Sequence, residues 1–460
     1  MSAPQELLRR LGAWDAALIT IGSVIGTGIF LTTGDMAKAM PHTGLVLLVW
    51  VVSGLLTLTG ALTYAELGAM YPRAGGMYVF LREAYGPLWG FLYGWGAFLV
   101  IMSGGIAAIA VGFGEYLGAF LPFWSTQHEI FSVPLGSFTW SVSGGQLAAT
   151  LAILVLTAIN HFGVKEGVAV QNLLTILKVG AIAAFVGIGL LVPAKAVAHL
   201  TAPLPQLPAG HVGWLAAFGV AMIAALWTYD GWYGATFSAG EMKNPGRNLP
   251  IGLITGTLTI IVLYTLLNLV YFRALPLEGL AATSRVGETA ATALFGINGG
   301  RLLTAAVLVS TFGCLSSTLL YSSRIYQPMA EDGLFFQSMA RIHPRYRVPT
   351  ISLWTQSGWA ILLALSGRYD QLYTYVVFVA VLFHMLTGAS VFVLRKKHPD
   401  APRPYRVWGY PVVPLIFMVS SGILVVNTLS EKPVESLFGL GLLALGLPAY
   451  FYWRKSKPQS

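Results

Sequence analysis

Long runs of apolar residues, separated by short polar segments, recur along the whole chain. Each run reaches about 18 residues or more, which is long enough to cross a bilayer as an α-helix. Segments of about ten residues with alternating polarity, which are typical of β-barrel strands, are not found. The pattern therefore predicts an all-α polytopic membrane protein. Its twelve predicted spans are residues 14–39, 43–70, 87–120, 145–161, 167–192, 213–240, 250–272, 298–327, 349–366, 370–394, 410–429 and 434–453.

The spans group into consecutive regions. Two five-span regions are followed by two further spans, and short polar segments lie at both ends. The first span is expected to be retained rather than removed as a signal peptide, because no small-residue cleavage site follows it. The predicted regions are an N-terminus at 1–13, a first half at 14–192, a second half at 213–394, the last two spans at 410–453 and a tail at 454–460.

Composition and charge agree with this pattern. Of the 460 residues, 56% are hydrophobic and only 10% are charged, whereas a soluble domain carries about 25% charged residues. The net charge is +9. Nineteen of the 27 Lys and Arg residues fall on one side of the predicted topology and seven on the other. By the positive-inside rule, both termini are expected in the cytoplasm, with the protein in the plasma or inner membrane. The basic charge thus reflects topology and does not indicate nucleic-acid binding.

The first span contains the glycine-rich stretch "GSVIGTGIF". Gly22 and Gly26 form a G-x-x-x-G pair, which is consistent with close helix packing. Gly28 adds a third small residue, and Ser23 and Thr27 add hydroxyl groups. The alternative is therefore an unwound segment that splits the span into two half-helices, which is tolerated only where the backbone is buried or lines a cavity.

The sixth span contains a second candidate break, "TYDGWYG", with Asp230 and Gly231 at mid-membrane depth. An acid there costs at least about 2.5 kcal/mol, so it is expected to face the bundle interior. Interrupted helices at corresponding positions of two halves indicate a transporter site. The first turn of a half-helix offers backbone amides to a carboxylate, and the end of another offers carbonyls to an ammonium group. Together these groups match the backbone of an α-amino acid.

Five stretches occur in the same order in a known family: "GSVIGTGIF", "YAELGAMYPRAGGMYVFLREAYG", "YDGWYGATFSAGEMKNPGRNLP", "SSRIYQPMAEDGLFF" and "HPDAPRPYRVWGYPVVP". Together they extend over nearly the whole chain. The chain resembles the permeases of the amino acid–polyamine–organocation (APC) superfamily, and in particular the branch of the L-type amino acid transporters. The resemblance implies the LeuT-like fold, with a five-plus-five inverted repeat, broken helices one and six and two extra helices. It also implies alternating-access transport.

The resemblance also implies a substrate site on spans one and six. Trp227 matches the position of a bulky aromatic gate, although most aromatics in such a chain only pack. Tyr233 is expected to bridge the substrate or to close the cytoplasmic side. Asp230 is expected to hold the substrate ammonium, to hold a basic side chain or to cap the broken helix, and the sequence does not choose among these roles. The substrate-site residues are Ser23, Val24, Gly26, Thr27, Gly28, Trp227, Tyr229, Asp230, Gly231 and Tyr233.

Lys178 lies in the middle of span five, too deep for its side chain to reach the interface easily. In the resembled family a lysine here takes the place of a sodium ion and bonds the carbonyl of Gly22 or a neighbour, which implies sodium-independent transport. An ion pair with Asp230 is the structural alternative. Four small residues, at which packing is the equal alternative, are further candidates for the pocket around the substrate side chain: Ser103, Gly104, Ser316 and Ser317.

Charged residues near the predicted cytoplasmic face are expected to form gating ion pairs or to be solvated. They are Glu66, Arg82, Glu241, Arg247 and Arg324.

The resulting hypothesis is a sodium-independent exchanger of neutral L-amino acids. The alternatives are a proton-coupled symporter and a carrier of cationic amino acids or polyamines. A channel is disfavoured because intramembrane charges are confined to spans five and six. An enzyme is not expected, since no nucleophile–base pair is evident, and neither a metal nor a cofactor is expected. Residues 121–144 contain no cysteine, so a disulfide-linked heavy chain of the kind bound by eukaryotic members is not expected. The oligomeric state stays open.

Overall fold

The computed structural model describes residues 9–135, 138–162, 167–196, 213–366 and 369–455. Residues 1–8 and 456–460, in the two predicted cytoplasmic termini, lie outside the described residues. The helices are α1 (Ala13–Val24), α2 (Gly28–Ala39), α3 (Thr43–Met70), α4 (Met77–Tyr85), α5 (Pro87–Gly96), α6 (Met102–Leu117), α7 (Gly144–His161), α8 (Gly167–Leu191), α9 (Trp214–Tyr229), α10 (Pro245–Ala274), α11 (Leu277–Ala281), α12 (Val286–Glu331), α13 (Thr350–Ser366), α14 (Tyr369–Lys397), α15 (Val412–Glu431), α16 (Pro433–Ala444) and α17 (Gly446–Lys455).

Within the described residues, ten helical segments are long and apolar enough to cross a membrane, or eleven if the bent pair α1–α2 is one span. Helix α13 occupies the ninth predicted span and has 17 residues, slightly fewer than a perpendicular crossing of the hydrocarbon core needs. The nearly all-helical architecture is the predicted fold class. The count of twelve spans and the relation between the two halves stay predictions.

The first predicted span is divided into α1 and α2, which are bent by 46° at residues 25–27. The amide of Gly26 turns back to the carbonyl of Val24, at 2.8 Å, instead of continuing the helical ladder. A Cβ atom on Gly28 would lie 2.7 Å from Oγ1 of Thr228. Glycine is therefore required at the start of α2 because α9 packs directly against its backbone.

The sixth predicted span loses its α-helical form after Tyr229. Asp230 has an extended conformation, and Gly231 has a φ of +94°, which L-residues with side chains rarely adopt. The chain then continues as a 3₁₀ helix, Gly234–Glu241. A Cβ atom on Gly231 would lie 2.8 Å from the carbonyl oxygen of Ser23. The two interrupted segments thus meet backbone to backbone.

Three features of the fold are absent from the sequence analysis. A π-helical turn, Ala97–Ile101, joins α5 to α6 and inserts a wider loop into the third span. An antiparallel hairpin of β1 (Glu129–Leu135) and β2 (Phe138–Ser143) precedes α7. Helix α12 begins twelve residues before the predicted eighth span, at Val286, and kinks at Gly296, where φ is +75°. The lengths and positions of apolar runs, on which the span prediction rests, indicate none of these features.

Helix α10 holds α1 in place. A Cβ atom on Gly252 would lie 2.3 Å from Cβ of Ala16, and one on Gly256 would lie 2.8 Å from Cβ of Thr20. The two glycines are four residues apart, so they form one smooth stripe on α10 that receives α1. Another face of α10 carries exposed apolar side chains, among them Leu258 and Val262.

Candidate substrate site between the two interrupted helices

A small cavity lies where the two interrupted segments meet, and α6 and α12 complete its wall. Eight of the ten predicted substrate-site residues line it: Ser23, Val24, Gly26, Thr27, Gly28, Trp227, Asp230 and Gly231. The first turn of α2 borders the cavity, and the first amides of a helix have no intrahelical acceptor. This end of the cavity therefore suits a carboxylate.

The carbonyl groups at the end of α1 are already in use. The carbonyl of Ser23 accepts the Cys314 thiol at 3.3 Å. The carbonyl of Val24 accepts the Tyr264 hydroxyl at 3.1 Å. The Val24 carbonyl also accepts the Gly26 amide, so both of its lone pairs are used, whereas the Ser23 carbonyl retains one. The break is thus fixed by its neighbours and still offers the Ser23 carbonyl to an ammonium group.

Lys178 reaches the same break from α8. Its ammonium group donates to the carbonyls of Gly22 at 3.2 Å, Ile25 at 3.0 Å and Ser310 at 3.2 Å. An ammonium group has three N–H donors, so these three bonds satisfy it completely. No ion pair between Lys178 and Asp230 is found in the described part of the chain. The lysine therefore occupies a ring of carbonyl oxygens, the kind of ligand set that a hard cation prefers.

Trp227 is held in a fixed orientation by α14. Its indole N–H donates to the hydroxyl of Tyr369 at 2.8 Å. Its ring stacks on Tyr373, with centroids 6.1 Å apart and planes inclined by 17°. The Tyr369 hydroxyl also lies 3.4 Å from Oγ1 of Thr27. The tryptophan thus links the two interrupted segments to α14 along one side of the cavity.

Asp230 lies between two cavities. It lines the one described above and also a second, mainly apolar cavity bounded by α3, α14 and α15, to which His384 contributes. Among the described residues no lysine or arginine pairs with the Asp230 carboxylate. The carboxylate therefore keeps the capacity to meet a cationic group.

Two predicted substrate-site residues lie outside the lining. The Tyr229 hydroxyl donates to the carbonyl of Trp50 at 3.2 Å, which directs the side chain toward α3. Tyr233 packs among aromatic rings, its centroid 5.1 Å from that of His384 and 6.2 Å from that of Tyr64. Both contribute to the support of the second break.

The four pocket candidates also lie outside the lining. Ser103 donates to the carbonyl of Phe98 at 2.6 Å and closes the π-helical turn, while the Gly104 backbone packs against Val376. Ser316 bonds Asn160 of α7, and Ser317 bonds its own helix at Gly313. These contacts agree with the alternative that the four residues pack helices together and do not line the pocket.

Eight lining residues are missing from the sequence predictions: Ile101, Met102, Gly105, Ile109, Thr228, Cys314, Thr318 and Tyr321. On α12 the spacing i, i+4, i+7 of Cys314, Thr318 and Tyr321 defines one helix face. Ser310, whose carbonyl accepts a bond from Lys178, extends the same stripe by one turn. The spacing of these residues in the sequence could therefore have indicated the cavity-lining face of α12. The sequence analysis selected Ser316 and Ser317, which lie on an adjacent face.

Three ion-pair clusters lie toward the predicted cytoplasmic end. Glu66 accepts bonds from Arg395 and from the amide of Val407, each at 2.7 Å, and lies 3.6 Å from Arg403. The other two clusters are Arg82 with Asp332 and Glu83, and Arg324 with Glu241. Arg247 forms no ion pair within the described ranges.

Fold and site together define a polytopic helical membrane protein with a small-molecule cavity at its centre. Residues 11–437 match the family model described as amino acid permease. The chain is 31% identical over 454 residues to the serine/threonine exchanger SteT of Bacillus subtilis, covering 98% of each chain. It is 30% identical over 451 residues to the large neutral amino acids transporter small subunit 2 of Mus musculus, covering 97% of this chain and 82% of the relative.

A third relative, the b(0,+)-type amino acid transporter 1 of Homo sapiens, is 30% identical over 455 residues, covering 97% of this chain and 88% of the relative. The chain therefore belongs to the amino acid permease family, as the resemblance in sequence predicts. It is a multi-pass membrane transporter of amino acids and not an enzyme.

Proposed function

We propose that the protein exchanges neutral L-amino acids across the membrane, without sodium, by alternating access. The observation that carries this proposal is Lys178, whose ammonium group occupies the carbonyl ring formed by Gly22, Ile25 and Ser310. A covalently attached cation in that position removes the need for a bound metal ion. Relatives named as a serine/threonine exchanger and as a large neutral amino acids transporter support the substrate class.

The proposed binding mode follows from the two interrupted segments. The substrate carboxylate bonds the first amides of α2, near Thr27 and Gly28. Its ammonium group bonds the remaining lone pair of the Ser23 carbonyl at the end of α1 and the carbonyls at the break after Tyr229. Its side chain points toward α6 and α12, where Gly105 and Thr318 leave space. Trp227 closes one side of the site as a gate.

The proposal is tested by uptake of a labelled neutral amino acid into proteoliposomes, with and without unlabelled amino acid inside. Exchange predicts rapid uptake only when internal amino acid is present, at equal rates in sodium and in choline buffer. A dependence on sodium contradicts the role of Lys178. Ion conductance that is independent of amino acids contradicts transport altogether.

A second candidate rests on Asp230, which lines the cavity and has no cationic partner among the described residues. In this version the carboxylate binds a basic side chain or a proton, and the substrate is a cationic amino acid or moves with a proton. Asp230→Asn separates the two functions. A neutral exchanger keeps most of its serine or leucine exchange, whereas a carrier of cationic substrates loses lysine or arginine uptake selectively. An applied pH gradient tests proton coupling in the same vesicles.

We also propose that both termini are cytoplasmic and that the protein works without a disulfide-linked heavy chain. The excess of Lys and Arg on one side supports the orientation. The single cysteine, Cys314, is buried in α12, and the segment before α7 carries a hairpin where a linking cysteine would be needed. Labelling of single cysteines introduced near each terminus, from either side of the membrane, tests the orientation.

A further inference from the structure

A groove on the outside of the bundle lies between the start of α10 and the segment before α15. It has a volume of about 350 Å³. We call it the α10 groove, and its principal walls are Arg247, Pro250, Ile251, Ile254, Pro404 and Tyr405. It is separate from the substrate cavity, with which it shares no lining residue.

The polar end of the α10 groove is cationic. Arg247 is exposed, and its guanidinium makes no ion pair or hydrogen bond within the described ranges, unlike Arg82, Arg324 and Arg395 at the same end of the protein. Among the described residues, no carboxylate lines the groove. Arg247 also lies in the first turn of α10, where the helix dipole adds positive potential. The groove thus presents an uncompensated positive charge.

The rest of the α10 groove is apolar and continues along the membrane-facing side of α10. Ile251 is 39% exposed, and Leu258 and Val262 below it are 44% and 56% exposed. With Thr255 they follow the spacing i, i+4, i+7, i+11 and form one face of the helix. Trp408, three residues after the groove residue Tyr405 in the sequence, is 80% exposed, and aromatic residues are enriched at membrane–water interfaces.

We propose that the α10 groove binds an anionic phospholipid, with its phosphate at Arg247 and one acyl chain along Ile251, Leu258 and Val262. Charge complementarity favours this occupant, because a soluble anion has no use for the apolar face and a neutral lipid leaves the arginine uncompensated. Basic pockets above an apolar helix face at the cytoplasmic interface are suited to anionic headgroups.

Bound lipid would act on the part of the protein that moves. A neighbouring face of α10 receives α1 through Gly252 and Gly256, and α1 ends at the substrate site. A lipid that fixes α10 therefore fixes the support on which α1 rests. We expect exchange to depend on the anionic lipid content of the membrane, although lipid binding itself does not rest on the proposed transport function.

The test measures retention of labelled dioleoyl phosphatidylglycerol and dioleoyl phosphatidylcholine by the purified full-length protein in detergent. The wild type is expected to retain severalfold more phosphatidylglycerol. Arg247→Gln is expected to lower this preference at least threefold, and Arg341→Gln, an exposed arginine outside the groove, is the matched control. Ile254→Trp, which fills the groove, is expected to reduce retention of phosphatidylglycerol, whereas Val262→Trp further along the helix has a smaller effect.

Several results overturn the proposal. Equal retention of the two lipids by the wild type shows that Arg247 does not select an anionic headgroup. An equal loss in Arg341→Gln shows a general surface-charge effect. Competition by glycerol 3-phosphate as strong as that by phosphatidylglycerol shows a site for free phosphate, not lipid. Association of two chains that Ile254→Trp abolishes shows that a second copy covers the face. If Arg247→Gln fails to fold, the retention of phosphatidylglycerol by Ile254→Trp still tests the proposal.

Discussion

Lys178 and Glu66 are both buried, with 4% and 1% of their surfaces exposed, but they are neutralised in different ways. Lys178 meets three carbonyl dipoles and no carboxylate in the described structure. Glu66 meets two full positive charges, Arg395 and Arg403, and a backbone amide. Partial charges hold an ion less firmly than opposite full charges do.

The difference corresponds to what each region has to do. Two of the carbonyls around Lys178 belong to the broken end of α1 and its linker, which must change position if access to the site alternates. The partners of Glu66 join α3 to the end of α14 and to the segment before α15. We expect these parts of the helix bundle to stay fixed relative to one another. A dipole-bound cation permits rearrangement, whereas a doubly paired carboxylate resists it. We therefore expect substitutions at Glu66 to affect mainly stability and substitutions at Lys178 to affect mainly transport.

The largest effect on stability is expected for Glu66→Gln. The substitution leaves two arginines without their counter-charge, and breaking a buried pair of this kind costs about 3–5 kcal/mol. The yield of monodisperse protein and the apparent melting temperature in detergent measure the effect. Glu331→Gln, at an exposed position on α12, is the control. A wild-type melting temperature for Glu66→Gln would contradict the proposed role of this ion-pair cluster in stabilising the contact of α3 with α14.

Lys178→Ala is expected to reduce exchange at least tenfold in protein that remains folded. The change removes the ammonium group that links the carbonyls of Gly22, Ile25 and Ser310, so the break loses its defined geometry. Initial exchange rates in proteoliposomes measure the loss, and Lys38→Ala, an exposed lysine on α2, is the control. Partial rescue of Lys178→Ala by sodium or lithium would sharpen the comparison, since carbonyl oxygens suit such ions. Unchanged kinetics would remove Lys178 from the mechanism.

Trp227→Ala is expected to change the ratio of large to small substrates severalfold with a smaller loss of total exchange. The substitution removes both the hydrogen bond to Tyr369 and the stacking on Tyr373, so that wall of the cavity opens. Competition of labelled serine uptake by leucine and by phenylalanine measures the ratio. Tyr369→Phe removes the hydroxyl that contacts Trp227 and Thr27 but keeps the indole ring and its stacking on Tyr373, and it is the matched control. An unaltered ratio would mean that Trp227 only packs.

The smallest effect is expected for Ser310→Ala, less than about threefold on exchange. Its hydroxyl bonds the carbonyl of Ile25 at 3.3 Å, but Lys178 is bound by the backbone carbonyl, which the substitution retains. Comparison with Lys178→Ala under the same conditions measures the difference. A loss as large as that of Lys178→Ala would show that the hydroxyl, not the backbone dipole, organises the ring.

The sequence predicted the parts of this structure that depend on hydropathy and on residue types with a high cost in a membrane. Apolar runs located most spans, and the glycines around Ser23 and the acid at position 230 located the two breaks, because few arrangements tolerate them in lipid. Lys178 was visible for the same reason. Its three acceptors were not predictable as a set, since Ser310 comes from α12 and only the folded chain brings it beside Ile25.

The sequence left the direction of individual side chains undetermined. Ser316 and Ser317 are polar like true lining residues, yet the cavity is reached by Cys314 and Thr318 on a neighbouring stripe of the same helix. For Arg247 the sequence left an ion pair and a solvated charge as alternatives, and the side chain is exposed and forms no ion pair among the described residues. Hydrophobicity averages over a helix, so it fixes the existence of the helix and leaves its rotation undetermined.

The π-helical turn at Ala97–Ile101 has a consequence for how such a site changes during evolution. Each residue of an α-helix advances about 100° around the axis, so one inserted residue absorbed in a widened turn rotates everything after it relative to everything before it. Here that rotation places Gly105 of α6 at the cavity, while the Ser103 hydroxyl bonds the carbonyl of Phe98 within the turn. Insertion or deletion of a single residue at this point is therefore a route by which relatives can exchange one set of pocket-lining residues for another, with both ends of the span left in place.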